Sequence, residues 1–378
     1  MTSAERHEAR YQRRKAARKA KKLAFSRPYD NFSNVFTYNK LFTGYRLCSR
    51  NVKWKASIQR FLMLSGLNTY RTYNRLHAGI FKHDPFYEFD LMERGKLRHI
   101  RSVSVRERGV QRCICDNCLV PTISRPFIYD NGASLKNKGY TFSTLRAATH
   151  LHKYYNHYKT TEGYALIFDF QKFFDNVPHE VCYRVIDNAI TDEHLRETAK
   201  DFVKAFGSIG LGLGSQISQI LALASANELD HLIKEKLGIK YYGRYMDDGY
   251  LLHPSKEYLK YCLQEIKKKC EELGIKLNTK KTIIVKISHG FTFLKTRFYL
   301  LPNGKVVKKI YKKSVVKERR KLKKLRCKYE EGKLTLNDIY QSFQSWRAYA
   351  RTFDAYNAIQ NMEHLYLQLF KEIGGHSI

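Results

Sequence analysis

The sequence is poor in acidic residues and in proline, and it contains no long apolar run. Asp and Glu together number 35 against 69 Lys and Arg, which leaves a formal net charge of +34 at pH 7. A membrane-spanning helix needs about 18 or more consecutive apolar residues, so we expect no transmembrane segment. Only seven prolines occur in 378 residues. With no Pro-rich or Gly/Ser-rich stretch, the chain is expected to be continuous rather than divided by flexible linkers.

Two features of secreted proteins are also missing. The N-terminal segment MTSAERHEARYQRRKAARKAKK contains no apolar stretch and does not resemble a signal peptide. The eight cysteines are scattered along the chain, a distribution typical of reduced thiols rather than of a disulfide framework. The sequence therefore predicts a cytoplasmic protein.

Apolar, aromatic and basic residues are abundant. Hydrophobic residues make up 43% of the chain, which is enough for a folded core. So large a positive charge repels itself unless an anionic partner neutralises it. Nucleic acid is the leading candidate and an anionic membrane surface the second. The 27 Tyr and 22 Phe favour nucleic acid, because aromatic faces stack on bases.

The hydrophobic pattern predicts both helices and strands. Strands or hairpins are predicted for 96–105, 164–170, 240–253 and 290–307, the last with Pro-Asn-Gly at its turn. Helices are predicted for 4–22, for 108–123, after an N-cap at Ser215, for 258–275 with its end at Gly274, and for the remainder after 312. The basic segment 4–22 fits a solvated tail and an RNA-binding arm equally well.

Three carboxylates stand beside apolar residues. Asp169 is near the end of the apolar run YALIFDF, and Asp247 and Asp248 lie within KYYGRYMDDGYLLH. Such placement costs free energy unless a cation binds the carboxylates. Oxygen ligands from two neighbouring strands suit Mg²⁺, and two ions about 3.5–4 Å apart can clamp the attacking and leaving oxygens of a phosphoryl transfer. Taken alone, an Asp-Asp pair more often marks a plain hairpin turn.

The order of the motifs resembles the palm of reverse transcriptases. IFDFQKFFDNVPH is similar to the first catalytic strand, and RYMDDGYLL to the catalytic hairpin. GLGLGSQISQILALASANELDHLI resembles the loop and helix that contact nucleotide and template. LGIKLNTKKT, GFTFLK and KLRHIRSVSVRERGVQ resemble the next helix-to-strand segment, the primer-grip hairpin and the fingers strands that hold the triphosphate. The resemblance covers residues 96–300, and a thumb is expected to follow.

This resemblance implies roles for the residues that match the motifs. Asp169, Asp247 and Asp248 match the metal-binding carboxylates, and the backbone carbonyl of Phe170 matches a further metal ligand. Lys281 matches a lysine near the leaving pyrophosphate, a candidate general acid. The implied cofactor is a pair of Mg²⁺ ions, with Mn²⁺ as a substitute.

A second group is implied to bind the incoming nucleotide: Arg98, Arg108, Phe170, Phe174, Leu213, Gly214 and Gln219. Arg98 and Arg108 match cationic fingers residues that pair with phosphates. Phe174 matches the aromatic gate that collides with a 2′-hydroxyl and so selects dNTPs. RNA-copying RNA polymerases with a similar palm usually carry a polar or acidic residue there and Gly-Asp-Asp in the hairpin. Both differences favour DNA as the product.

Three positions depart from the usual pattern of the family. Gly212 stands where the family usually has Pro, and Lys295 stands where the primer grip usually has Gly. Leu213 stands where retroviral enzymes carry Gln and where diversity-generating retroelement enzymes carry an aliphatic residue, associated with error-prone copying of template adenines. With Ser218-Gln219 and the segment GASLKNKG, Leu213 makes that subgroup the most similar one. Defence-associated bacterial reverse transcriptases share the palm and remain an alternative.

Cysteine and histidine offer two weaker signals. Cys113, Cys115 and Cys118 form C-x-C-x₂-C, which hints at zinc, but a structural zinc site needs four ligands and no fourth lies nearby in sequence. We therefore favour small buried residues on a helix. His179 could touch substrate, but we favour a structural hydrogen bond that fixes its turn.

The C-terminal part is expected to form a thumb. The segment 312–328 is almost wholly basic, which favours a helix along the backbone of a template–primer duplex over a merely solvated one. Trp346, Tyr349, Phe353 and Tyr356 recur at spacings of three and four residues, which predicts a thumb core.

These observations predict an α+β right-hand polymerase with fingers, an antiparallel palm and a helical thumb. We expect a basic extension and the start of the fingers in 1–95, fingers and palm in 96–300, and a basic thumb in 301–378. The predicted activity is RNA-templated DNA synthesis. Polymerisation without a template, priming on protein and a non-catalytic RNA-binding scaffold are the alternatives. Expected partners are an RNA template, an RNA/DNA duplex, dNTPs and a structured non-coding RNA, with a small accessory protein or a second copy as further candidates and no membrane.

Overall fold

The computed structural model describes residues 2–93 and 96–371. The helices are α1 (Ser3–Ser26), α2 (Phe32–Val35), α3 (Tyr38–Cys48), α4 (Ala56–Met63), α5 (Ser65–His77), α6 (Val105–Ile114), α7 (Val120–Ile123), α8 (Tyr140–Tyr158), α9 (Phe173–Asn176), α10 (His179–Ala189), α11 (Glu193–Lys204), α12 (Gln216–Ser225), α13 (Asn227–His231), α14 (Lys256–Glu272), α15 (Lys312–Glu330), α16 (Leu336–Ala350) and α17 (Tyr356–Phe370). Cys115–Leu119 and Leu232–Lys236 are π-helical, and Ile287–His289 is a 3₁₀ turn.

The strands form antiparallel sheets. They are β1 (Tyr87–Glu93), β2 (Lys96–Ser102), β3 (Tyr164–Asp169), β4 (Tyr241–Tyr245), β5 (Asp248–His253), β6 (Ile283–Lys286), β7 (Phe291–Phe293), β8 (Thr296–Leu300) and β9 (Val306–Ile310). In the described residues the strand orders are β1-β2, β4-β5-β3-β6 and β7-β8-β9. Helices combined with antiparallel sheets agree with the predicted α+β class.

The chain folds into two units, each assembled from separated segments. The first contains Met1–Tyr129, Phe170–Leu232 and Ile266–Leu277, and the second contains Asp130–Asp169, Ile233–Glu265 and Asn278–Ile378. The predicted boundaries at residues 95 and 300 stay a prediction.

In the four-stranded sheet of the second unit, β3, β4 and β5 form where the sequence predicts strands, whereas β6 lies outside the predicted strand segments. The apolar strand β3 pairs with β5 on one side and with β6 on the other, and β4 lies beyond β5. Leu166 and Phe168 of β3 are fully buried, and burial of one such side chain stabilises the fold by about 1.5–3 kcal/mol. Helix α8 contributes Leu151 and Tyr154 to the core that contains Phe291 of β7. This packing gives the sheet a rigid base.

The segment 290–307 differs from the single predicted hairpin. It forms β7, β8 and the start of β9, and therefore contains two turns. The first turn is Leu294-Lys295, and both residues have positive φ, 49° and 60°. Two-residue hairpin turns need this geometry because it matches the twist of the strands, but they are usually built from Asn and Gly. Leu-Lys carries no such signal, so the sequence pattern located only the later turn.

The three C-terminal helices α15–α17 share a core of their own. Phe343 and Trp346 of α16 and Tyr366 of α17 are buried in it, and the ring centroids of Phe343 and Tyr366 are 4.6 Å apart. The predicted aromatic core is correct for Trp346 and for Phe353. It is wrong for Tyr356, which is 74% exposed. The helix is interrupted between α16 and α17, so the helical spacing does not carry across to Tyr356.

In the first unit, α3 and α6 pack closely through glycines. A Cβ atom on Gly44 would lie 2.8 Å from the carbonyl oxygen of Gly109, and a Cβ on Gly109 would overlap the ring of Tyr45. Close approach of the two helices therefore requires both glycines.

The predicted helix 108–123 is confirmed, with a π-helical segment at its centre. Cys113, Cys115 and Cys118 are buried and not in disulfides, and the Cys113 thiol donates a hydrogen bond to the carbonyl oxygen of Val35 (3.2 Å). Burial raises the pKa of Cys113 and Cys118 to about 12, so both thiols stay protonated at neutral pH. This environment suits small core residues.

Candidate active site

Two carboxylates meet at the adjoining ends of β3 and β5. Asp169 is the last residue of β3 and Asp248 the first of β5, and the two are directly opposite each other in the antiparallel register. Asp247 precedes Asp248 in the tight turn from β4, and Tyr245 pairs with Asp248 across it. The predicted strand–turn–strand is therefore confirmed, and its turn lies beside the end of the apolar strand.

The side chains around Asp169 include a lysine and an amide. The Lys281 Nζ lies 2.6 Å from Asp169 Oδ2, and the Asn278 Nδ2 donates to Asp169 Oδ1 at 3.1 Å. Burial, and then the negative charges of Asp247 and Asp169, raise the pKa of Asp248 to about 7. Burial disfavours the Lys281 ammonium, but its hydrogen bond to Asp169 and the nearby carboxylates outweigh this and raise the Lys281 pKa.

This donor set fits divalent cations. The carboxylates repel one another in a buried setting, and a bound cation would relieve that repulsion. Their oxygens are hard ligands of the kind Mg²⁺ prefers. In the part of the chain that the structure describes, no group of three or more His, Cys, Asp or Glu side chains forms a ready-made metal cage. Lys281 provides the positive charge beside Asp169.

The acidic turn is held from inside by Arg244 of β4. This side chain is only 1% exposed, and its Nη1 donates a hydrogen bond to the carbonyl oxygen of Met246 (2.8 Å). Met246 has a positive φ of 55°. Because the Met246 carbonyl belongs to the peptide that joins it to Asp247, the guanidinium sets the plane of that peptide. Arg244 therefore helps to orient the turn that carries Asp247 and Asp248.

A polar network supports β5 behind Asp248. The Tyr250 hydroxyl and His150 Nδ1 are 2.9 Å apart, and Arg146 donates from Nη2 to His150 Nε2 (3.2 Å) and from Nε to Asp130 (2.7 Å). Arginine can only donate, so Nε2 of a neutral His150 accepts and its Nδ1 donates to Tyr250. Burial lowers the pKa of His150, which agrees with this neutral form. Burial alone would raise the Asp130 pKa, but the neighbouring His150 ring, the Arg146 hydrogen bond and the Lys234 charge lower it.

The remaining predicted site residues lie in the first unit. Phe170 is buried, and its backbone bridges to Leu277. Phe174 belongs to the short helix α9 and is partly exposed. Its carbonyl oxygen accepts a hydrogen bond from the Leu211 amide at 2.7 Å, which ties α9 to the glycine-rich segment 207–214.

His179 makes the structural contact that the sequence analysis favours. It is buried, and its Nε2 lies 2.7 Å from the carbonyl oxygen of Gly210. Gly210 has a φ of 85°, and a Cβ there would lie 2.7 Å from the carbonyl oxygen of Asp175. Gly212, which stands where the family usually has Pro, faces the ring of Phe206 so closely that a Cβ would overlap it.

The start of α12 agrees with the predicted cap. The Ser215 hydroxyl accepts from the Ser218 amide and donates to Gln111 Oε1 at 2.8 Å. Gly214 and Gln219 are exposed and Leu213 is partly exposed. A ligand could therefore reach all three residues.

The two arginines differ in surroundings. Arg98 lies on β2 opposite Leu91 and is exposed. Arg108 is partly buried, and its Nη2 donates to Ser102 Oγ at 3.0 Å. Arg98 is therefore the more accessible to a phosphate.

Sequence reasoning missed Arg244, Asn278 and the Asp130–His150 pair. Two of them left a signal. Arg244 is a charge inside an otherwise apolar strand, and Asn278 lies three residues before Lys281. Asp130 and His150 are brought to β5 only by the fold.

Comparisons with known proteins fit this geometry. A family model described as Reverse transcriptase (RNA-dependent DNA polymerase) matches residues 80–298, more than half of the chain. No curated protein matches the chain. Among the described residues, no helix is long and apolar enough to span a bilayer. The family acts as a nucleotidyltransferase on a nucleic acid template with dNTPs, generally with two divalent metal ions. The chain belongs to the reverse transcriptase family and is an RNA-directed DNA polymerase.

Proposed function

We propose that this enzyme extends a primer 3′-hydroxyl on an RNA template by two-metal transfer of dNTPs, with Asp169, Asp247 and Asp248 as the catalytic carboxylates. The observation that carries the proposal is the meeting of Asp169 and Asp248 at the ends of β3 and β5, with Asp247 in the adjoining turn and the Lys281 ammonium beside Asp169. A non-catalytic scaffold would gain nothing from such a cluster, because burial and mutual repulsion destabilise it.

The three carboxylates and the carbonyl of Phe170 would hold two Mg²⁺ ions, for which Mn²⁺ could substitute. When bound, the ions activate the 3′-hydroxyl and neutralise charge on the triphosphate. The 3′-hydroxyl gives up its proton to water, a bond forms between its oxygen and the α-phosphorus, and the bond from that phosphorus to pyrophosphate breaks. In this mechanism Lys281 donates a proton to the departing pyrophosphate. Asn278 keeps Asp169 oriented through its amide hydrogen bond.

A second group of residues would select and bind the nucleotide. We assign phosphate contacts to Arg98 and Arg108, and we assign exclusion of the 2′-hydroxyl to the Phe174 ring. Partial exposure of Phe174 and the hydrogen bond at its carbonyl support a fixed yet accessible ring. Leu213, Gly214 and Gln219 would contact the nucleotide at the start of α12.

The biological setting we favour is a diversity-generating or related bacterial retroelement in the cytoplasm. Aliphatic Leu213, followed by Ser218-Gln219, supports this choice. A structured non-coding RNA would be a partner, and a small accessory protein or a second copy could complete the assembly. The alternative is a phage-defence enzyme that makes DNA from a dedicated non-coding RNA or without a template, and the same carboxylate cluster supports it.

Primer extension tests the proposal. Wild type and Asp247→Ala/Asp248→Ala are compared on a primed RNA template with dNTPs and Mg²⁺, beside a reaction without RNA. Glu257→Ala, at an exposed carboxylate of α14, is the matched control. We expect template-dependent synthesis by wild type and the control and none by the double variant.

Two results would reject the proposal. Synthesis that persists in the double variant would remove Asp247 and Asp248 from the mechanism. Products that form equally well without RNA would favour the alternative of untemplated synthesis.

A further inference from the structure

A part of the first unit that largely precedes the family match has no acidic residues. Between Asp30 and Asp84 the sequence contains nine Lys and Arg and neither Asp nor Glu. Most of this stretch lies before residue 80, where the match to the polymerase family begins. It folds as α2–α5. A local charge of a single sign favours a polyanionic partner.

The connection between α3 and α4 forms a cationic pocket. Arg46 from the last turn of α3, together with Arg50 and Lys53, lines a cavity of about 370 Å³, to which Thr43 and Leu62 also contribute. All three cations are exposed. Within the described residues, none of them makes an ion pair or a side-chain hydrogen bond.

This lack of counter-charges is not general on the first unit. Lys200, for example, lies 2.7 Å from Asp187 Oδ1, and Lys204 lies 3.0 Å from Asp201 Oδ1. The pocket instead leaves the donors of two guanidinium groups and one ammonium available. Arginine forks match the geometry of phosphate oxygens, so the chemistry of the pocket suits phosphate groups.

Exposed aromatic rings accompany these cations. Trp54 follows Lys53 directly and is 73% exposed, and Lys55 Nζ lies 5.4 Å from its ring centroid. Tyr70 of α5 is 55% exposed. Exposed rings next to cations are typical of surfaces that bind unpaired nucleotides, because bases stack on the rings while the cations contact the backbone.

The packing of α3 explains why these groups stay open. Leu41, Gly44 and Tyr45 form the buried face of α3, and Gly44 approaches α6 closely. Arg46 therefore points to the solvent side. Arg46 is thus held on a packed helix, and Arg50 and Lys53 lie in the short connection between two helices rather than on a loose tail, so little ordering entropy is lost when a ligand binds.

We infer that α3–α5 form a docking surface for RNA, in which Arg46, Arg50 and Lys53 hold backbone phosphates and Trp54 stacks on an unpaired base. The inference rests on the proposed function for the presence of an RNA partner, but not on any catalytic step. A bilayer presents a flat array of headgroups, whereas these cations line a concave pocket. RNA is therefore the better occupant.

The test measures binding of the full chain to a labelled RNA hairpin with an unpaired loop, as a function of salt. The variant Arg46→Gln/Arg50→Gln/Lys53→Gln is compared with Lys256→Gln/Lys260→Gln/Lys267→Gln, which removes the same charge from exposed positions of α14. Each phosphate contact contributes about 0.7 to the slope of log K against log salt, so the pocket variant should lose about 2 from that slope. Between about 50 and about 200 mM salt, its affinity should then fall about 20-fold less than that of wild type. The α14 control should keep most of the wild-type slope.

Two companion variants sharpen the assignment. Arg46→Lys/Arg50→Lys retains the charge and should restore most of the slope. Trp54→Ala should weaken binding to the looped hairpin several-fold and leave binding to a fully paired RNA duplex nearly unchanged.

Equal slopes for the pocket variant and the α14 control would overturn the inference. The inference would also be overturned if the pocket variant lost binding to vesicles containing phosphatidylglycerol but kept its binding to RNA. The surface would then bind a membrane. Primer extension by the unaltered chain tests the proposed function separately. If RNA binding depends on the pocket but no DNA is made, the docking surface stands and the polymerase mechanism is rejected. If DNA is made but RNA binding does not depend on the pocket, the mechanism stands and the docking surface is rejected.

Discussion

Arg244→Met is expected to slow catalysis although the side chain is too buried to touch a substrate. Arg244 donates to the Met246 carbonyl, and that peptide leads directly into Asp247 and Asp248. Methionine fills much of the same volume but donates no hydrogen bond. The variant therefore removes the hydrogen bond to the Met246 carbonyl and leaves only a small cavity.

The size of the effect follows from the bond that is lost. A hydrogen bond from a charged donor contributes about 1.5–3 kcal/mol, and the carbonyl of Met246 would lose this partner. If the whole loss falls on the alignment of the carboxylates in the transition state, kcat decreases by about 10- to 150-fold. KM for dNTP and for primer–template should change little, because the exposed surface stays the same.

The assay combines steady-state primer extension with urea unfolding of each variant. Arg244→Lys keeps the charge and should recover part of kcat. Arg184→Met, which removes an exposed ion pair with Glu228 on the first unit, is the control and should cost less than about 1 kcal/mol of stability. A kcat within about twofold of wild type for Arg244→Met, despite lowered stability, would show that the backbone alone sets the turn. A rise in KM without a fall in kcat would also contradict the positioning role, because Arg244 would then affect substrate binding rather than the chemical step.

Three further predictions follow from single residues. Phe174→Ala should admit ribonucleotides, because the ring that excludes the 2′-hydroxyl is gone; unchanged discrimination between dNTPs and rNTPs in primer extension would count against the gate. With Leu213 in place, products copied from a defined RNA should carry errors mainly opposite adenine, and uniformly low error at all four bases on sequencing would refute this. Gly210→Ala should lower the free energy of unfolding by about 1–3 kcal/mol, since φ is 85° and the new Cβ would lie 2.7 Å from the Asp175 carbonyl oxygen. Urea denaturation measures this loss. An unchanged midpoint would mean that the backbone around Gly210 moves to accommodate the new Cβ without cost.

Local patterns predicted much of the fold correctly. The apolar run before Asp169 and the acidic turn at Asp247 became adjacent strands, because buried strands and hairpins leave short-range signals. Ser215 caps α12 as predicted, since a cap depends on the neighbouring backbone alone. The wrong predictions concern places without a short-range signal. The Leu294-Lys295 turn contains none of the usual turn residues, and Tyr356 lies beyond the end of α16, where helical spacing no longer applies.

The sequence by itself determined the class of this protein. Carboxylates beside apolar runs suggested a cation site, and the order of the motifs, through its resemblance to reverse transcriptases, indicated a nucleotide-transferring palm. Only the tertiary structure decided which groups support the carboxylates. Asn278 and Lys281 reach Asp169 across more than 100 residues of chain, and the Tyr250 hydroxyl meets His150 across a similar separation. No periodicity encodes such contacts, because they depend on how distant strands and helices pack.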